Sequence, residues 1–163
     1  MNSAREPVLA ALQALGIDYQ LFEHPAVNTA EDTAVHWQAI PATPVKNLFL
    51  RNKKGDRHYL VILGIEKHAD LRQLVQVIGD DRLSFGSPER LQKHLGVTPG
   101  SVSPLGLIHD TAHAVRVIVD SDLRAAERLI FHPNDNTASL AISGEDFVRF
   151  LENRGNSVRW VRL

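Results

Sequence analysis

The chain has no cysteine. That absence excludes disulfides, thiolate metal sites and any mechanism built on a cysteine nucleophile. No apolar run approaches the roughly 18 residues that a membrane-spanning helix needs. There is no G-x-S-x-G turn to raise a serine nucleophile, so a serine hydrolase has little support. There is no H-E-x-x-H pair either, the commonest helical seat for a zinc ion. Internal repeats, low-complexity tracts and dividing linkers are also missing. Net charge is slight, −1 at pH 7, which argues against a general nucleic-acid binder. The first residues, "MNSAREPVLAALQALG", read as an amphipathic helix and not as a signal peptide, so the expected compartment is the cytoplasm.

What is present is an ordinary globular composition, 44% hydrophobic and 23% charged over 163 residues. That length suits one domain, 1–163, able to bury a core without staples. Charge is unevenly spread. Residues 46–93 hold ten Lys and Arg against six Asp and Glu, a local +4 that leaves −5 for the rest. The richest piece, "RNKKGDRH" (51–58), reads either as a solvated hairpin tip or as a shallow basic surface for one end of a structured nucleic acid.

Apolar spacing predicts the elements. Val8, Leu9, Leu12 and Leu15 recur at helical intervals before Gly16. "DYQLFEH" (18–24) alternates as a half-buried strand does, and Thr29 with Glu31 and Asp32 opens a helix that runs to about Gln38. "NLFLRN" and "RHYLVILG" form a hairpin across "KKGD". Helices follow at 69–78 and 88–95, separated by "RLSFG". "HAVRVIVD" and "ERLIFH" are strands on either side of a short polar helix near Ser121. "ASLAIS" is a further strand, "GEDFVRFLENRG" a helix stopped by Gly155, and "SVRWVRL" a last strand. The irregular mixture predicts an α+β fold with a curved mixed sheet flanked by helices, not a doubly wound parallel one.

Three polar islands interrupt the apolar segments. In "TPVKNLFL" (43–50), Lys46 and Asn47 sit where a strand is about to enter the core. Lys46 either snorkels to solvent or faces a cleft as a cation for a phosphate or carbonyl. In "SVSPLGLIHD" (101–110), Pro104 and Gly106 mark a tight, exposed backbone, either a plain loop or a set of amide N–H groups for an oxyanion. In "FHPNDNTAS" (131–139), His132 lies just past a strand end, where a lone histidine caps or packs more often than it catalyses. His109 and His113 are four apart, a ligand spacing if helical, yet "HDTAHAVRVIV" reads as a loop entering a strand. Metal binding therefore has weak support, and no metal or cofactor is expected.

The islands, in this order, carry a resemblance. With "EHPAV-T-E" near the start, "VKNLFLR", "SVSPLGLIHD" and "FHPNDNTASL-IS", the chain resembles the YbaK/prolyl-tRNA-synthetase-associated editing family, most of all its ProXp-ala (PrdX-like) branch. Asn28 departs from the pattern, where an apolar or aromatic residue is expected. The resemblance implies a cleft for the aminoacylated 3′ end of a tRNA. It also implies hydrolysis of the ester on mischarged tRNA(Pro), chiefly Ala-tRNA(Pro), with a ribose hydroxyl of the tRNA helping to activate water. Implied partners are the tRNA(Pro) acceptor end and prolyl-tRNA synthetase, with no membrane or metal. On this resemblance Lys46 holds the terminal phosphate or the substrate carbonyl, supported by Asn47. The Gly106 amide region steadies the oxyanion, and His132 borders the aminoacyl group. His24, Thr29, Pro104, Leu105, Asn134, Asn136 and Thr137 complete the expected substrate contacts. Three alternatives stay open: a Cys-tRNA(Pro) deacylase of the same family, a non-catalytic tRNA- or aminoacyl-binding module of the same fold, and a metal-dependent hydrolase using His109, His113 and His132.

Overall fold

Strand β2 (Thr43–Arg51) organises the molecule, because it belongs to two halves of one sheet. The computed structural model describes residues 4–27 and 29–163. Asn28, the departure noted above, lies outside them. Among the described residues the other strands are β1 (Gln20–Glu23), β3 (His58–Gly64), β4 (Ser84–Phe85), β5 (Val115–Asp120), β6 (Arg128–Phe131), β7 (Ala138–Ser143) and β8 (Val158–Val161). Their order is β1-β7-β6-β2-β3-β5-β8, with β4 beside the end of β2. Residues 45–51 of β2 pair antiparallel with β3, while Thr43 and Pro44 pair parallel with Leu129 and Ile130 of β6. The sheet is mixed, as the irregular order of elements predicts.

Five helices flank it among the described residues: α1 (Glu6–Ala14), α2 (Ala30–Trp37), α3 (Leu71–Ile78), α4 (Pro88–Leu95) and α5 (Gly144–Arg154). Local chemistry sets their ends. The Thr29, Asp70, Ser87 and Ser143 side chains accept first-turn N–H groups of α2, α3, α4 and α5. Gly155 ends α5 at φ +83°, a left-handed conformation that side-chain-bearing residues rarely adopt.

Strand β3 is buried at all seven positions and feeds two cores. Leu60 and Ile62 join the main core with α1, α4 and α5, while Tyr59, Val61 and Leu63 pack on the opposite face with Leu74 and Ile78 of α3. The period of two in strand side chains explains the split. The connection after β5 is a 3-10 turn (Ser121–Ala125) in place of the expected short helix.

At the far end of the β2–β3 hairpin, His58 is 6% exposed. Its ring stacks on Phe49, lies 4.2 Å from the His94 ring, and has Arg90 Nη1 2.9 Å from Nε2. Burial first, then the nearby His94, Arg90, Lys93 and Arg51, push its pKa down to about 4. An unfolded chain takes up this proton near pH 6.5 and the folded chain does not. Stability at neutral pH is therefore lost as pH falls from about 6.5 toward 4. His94 and His132, also shifted down by burial, act with the same sign. Urea midpoints should fall between pH 7 and pH 5, and less steeply for His58→Phe. Identical pH dependence in variant and wild type would show that His58 carries none of the effect.

Candidate functional site

Beyond Pro44 and Ile130 the pairing of β2 with β6 ends, and the parallel strands part at their carboxyl ends. Such a divergence leaves a crevice between neighbouring strands. Here it holds a cavity of about 170 Å³. Val45, Lys46 and Asn47 of β2 line one wall, Phe131 and His132 at the end of β6 another. Helix α2 covers it with Thr33 and Trp37, at helical intervals from Thr29 at its cap, and Ile65 closes the side beyond β3. The rim is the 3-10 turn Pro99–Ser101, where Pro99 and Gly100 are exposed. The volume is below the roughly 300 Å³ at which sites for drug-sized ligands begin, so the cavity suits a small group and not a nucleotide.

His132 is buried, and its Nδ1 lies 2.9 Å from the Ala138 carbonyl oxygen. A carbonyl only accepts, so Nδ1 carries the proton and the neutral ring keeps its lone pair on Nε2. Burial lowers its pKa, with a smaller push from His24, so the ring is neutral at pH 7. Trp37 lies against it with ring centroids 5.5 Å apart. Trp37 Nε1 in turn donates to Ser139 Oγ at 2.5 Å, which also bonds His24 Nε2 at 2.7 Å. His24 therefore stands behind His132 and does not line the cavity.

Lys46 is half-buried, and its ammonium donates to the Lys67 carbonyl. Among the described residues no carboxylate pairs with it. The turn bearing that carbonyl is itself fastened: Lys67 Nζ lies 2.6 Å from the buried Asp120 and 2.7 Å from Asp122. Asn47 Oδ1 is buried without a hydrogen-bond partner among the described residues, an acceptor still unused. No hydrogen bond between Asn47 and Lys46 is present among them, so the expected support of one by the other does not appear.

Several expected contacts lie elsewhere. The segment 101–110 is tight but not exposed. It forms a second 3-10 turn (Pro104–His109) in which Pro104, Leu105 and Gly106 are buried. The Gly106 N–H is spent on the Ser103 carbonyl at 3.1 Å. A Cβ there would come within 2.9 Å of Leu95 Cβ, so this glycine serves the packing of the turn on α4. The glycine that does reach the cavity is Gly100, second in its turn, where an N–H has no partner within a 3-10 turn.

The polar loop after β6 mostly braces the cavity from behind. Asn136 Nδ2 donates to the Val27 carbonyl at 2.7 Å, holding the approach to α2. Thr137 receives Arg5 Nη2 at 2.9 Å, and Arg5 also grips Asp135 at 2.7 Å and Glu23 at 2.8 Å. Asn134 adopts φ +64° and buries an amide with no partner among the described residues, outside the cavity lining. Of the expected residues, the structure brings Thr29, Lys46, Asn47 and His132 together around the space. It leaves Pro104, Leu105, Gly106, Asn134, Asn136 and Thr137 out of the lining. His109 and His113 are exposed and also outside it, and no three His, Asp or Glu among the described residues form a metal-binding group.

The lining offers a cation, a neutral imidazole and the exposed backbone of Gly100, but no paired nucleophile and base. Thr29 Oγ1 already caps α2, and the Thr33 hydroxyl is spent on the Thr29 carbonyl. Such a set can hold and polarise an already activated carbonyl beside a water molecule. The fold and site thus define a mixed-sheet domain with a small, polar-lined pocket where two parallel strands part.

Comparison with known proteins narrows that class. Residues 24–150 match the model of the aminoacyl-tRNA editing domain, and the chain belongs to this family. It is 39% identical over 160 residues to the prolyl-tRNA editing protein ProX of Acetoanaerobium sticklandii, covering 98% of each chain. It is 33% identical over 149 residues to the prolyl-tRNA synthetase associated domain-containing protein 1 of Bos taurus, covering 89% of this chain and 86% of that one. A solved structure described as a candidate trans-editing enzyme for prolyl-tRNA synthetase superposes with TM-score 0.75 at 23% identity, covering 100% of this chain and 99% of that one. That likeness shows the YbaK-like fold. Among the described residues no helix is long and apolar enough to cross a membrane.

Proposed function

We propose that this protein is a trans-editing deacylase that hydrolyses the aminoacyl ester of mischarged tRNA(Pro), chiefly Ala-tRNA(Pro). The observation that carries the reading is the cavity of about 170 Å³ at the parting of β2 and β6, with Lys46 and His132 on different walls. A synthetase pocket sized for proline gains only about 1–3 kcal/mol against a smaller side chain. A second, smaller pocket supplies the missing discrimination by admitting alanine and excluding proline.

In this mechanism the aminoacyl group enters the cavity and its ester carbonyl stops near Lys46. Water adds to the carbonyl carbon, the C–O bond to the ribose breaks, and the ribose oxygen leaves as a hydroxyl after taking up a proton. The neighbouring ribose hydroxyl helps to activate the water, so no strong protein base is needed. The Lys46 ammonium and the Gly100 N–H, in the place first given to Gly106, stabilise the developing oxyanion. His132 Nε2 orients the aminoacyl group or the water. The tRNA is charged and released by prolyl-tRNA synthetase, which makes the synthetase a functional partner.

Deacylation of Ala-, Cys-, Ser- and Pro-tRNA(Pro) should be measured side by side. Turnover should be fastest on Ala-tRNA(Pro) and slowest on Pro-tRNA(Pro). A faster rate on Cys-tRNA(Pro) would reassign the substrate within the family, and no turnover on any of the four would leave only a binding module.

A further inference from the structure

The cavity is too small for a nucleotide, so a polymer whose end enters it must leave over the rim. One side of that rim is Pro99, which is also the end wall of a second depression. That groove, about 560 Å³ and open, runs along α4 past Val97, Gln92, Lys93, Glu89 and Pro88. Glu89 and Lys93 in turn border a third hollow of about 630 Å³ beneath the tip of the β2–β3 hairpin, the basic "RNKKGDRH" stretch. Shared residues thus join the cavity, the groove and the basic tip into one track.

We propose that this groove on α4 is the path of the unpaired 3′ nucleotides of the substrate RNA, a reading that rests on the function proposed above. The surface matches such a ligand. Exposed Pro88 and Pro99 and the stem of Gln92 offer apolar faces to bases, without the hydrogen-bonding pattern of a sequence reader. Lys93 is exposed, and no carboxylate among the described residues lies in ion-pair contact with it, so its ammonium is available to a phosphate. The other cations of the track are partly engaged. Arg90 Nη1 holds the Gly55 carbonyl and His58 Nε2, each at 2.9 Å, and Arg57 pairs with Asp80 at 2.7 Å. Arg90 therefore fixes the hairpin tip onto α4, and Lys93 with the exposed Lys54 meets the backbone. Glu89 is the one carboxylate on the groove itself, and it limits how tightly a polyanion is held.

The test compares two substrates, full-length Ala-tRNA(Pro) and the single nucleoside 2′(3′)-O-alanyladenosine, which carries no phosphate for Lys93 to meet. Lys93→Glu should raise KM about tenfold on the tRNA with kcat unchanged, and leave the nucleoside kinetics as in wild type. Lys93→Ala should reduce the slope of log KM against log salt by about 1. Glu89→Lys should move KM on the tRNA the opposite way. Unchanged KM on the tRNA in the charge variants would overturn the path over α4 while leaving the deacylase reading intact. An equal loss on both substrates would also overturn it, by placing the effect in the cavity or the fold. A wild-type protein inert on both substrates would defeat the deacylase reading itself, and the groove's ligand with it.

Discussion

Lys46→Ala should lower deacylation of the preferred aminoacyl-tRNA by about 10²–10³-fold, the scale of removing one donor aimed at a developing oxyanion. The ammonium is the cation of the cavity lining, and no carboxylate among the described residues neutralises it. In a small, half-open cavity its field is screened less than at a flat surface, so its loss weighs on the transition state and not only on binding. The fall should therefore appear mainly in kcat. Lys46→Arg should rescue only in part, because a planar guanidinium is bulkier than an ammonium and would crowd the space. The fold should survive, since the side chain is half-buried and gives up a single bond, to the Lys67 carbonyl. Thermal midpoints for the variant and wild type should lie within a few degrees. A folded Lys46→Ala protein that turns over near the wild-type rate would remove this lysine from the mechanism.

The same lysine shows what sequence can carry. Its place beside "NLFL" marked a cation at a strand, and local patterning gave the hairpin, the Thr29 cap of α2 and Gly155 as a helix stop. None of these needs more than neighbouring residues. The parting of β2 from β6 is different in kind. Thr43 and Pro44 meet Leu129 and Ile130 across 86 positions of chain, and nothing local announces it. The cavity exists because of that parting, so its depth and its contact with Ile65 were not legible. Thr33 and Trp37 could have been found, since they follow Thr29 at intervals of four along α2. The glycine of the cavity lining was not singled out because "TPGSVSPLG" holds two candidates, and burial alone separates the exposed Gly100 from the buried Gly106. Polar density misled in the loop after β6 as well, since Asp135, Asn136 and Thr137 spend their groups on bracing Arg5 and Val27.

The histidine that opens that loop is the exception, and enlarging its site should change what the protein accepts. His132 forms part of the cavity wall with Trp37 packed against it, so its ring limits how large an aminoacyl side chain can enter. Exclusion by clash can exceed by far the modest gain from filling a pocket, so a small enlargement has a large effect on selectivity. His132→Ala should lower the ratio of kcat/KM on Ala-tRNA(Pro) to that on Pro-tRNA(Pro) by about tenfold or more, and lower the rate on alanine too. The alanine variant also strips the Ala138 carbonyl of its donor, at a cost of about 1–3 kcal/mol in stability. His132→Asn answers that difficulty. Its Nδ2 stands where the histidine Nδ1 does, keeps the bond to Ala138, and removes only the outer part of the ring. Loss of selectivity in both variants places His132 in the excluding wall. A fall in rate with the ratio held makes it a group that orients the substrate or the water, with the wall elsewhere, Trp37 and Phe131 being next to try. If neither rate nor ratio moves in the asparagine variant, His132 only packs, and the loop that follows it is no more than a brace.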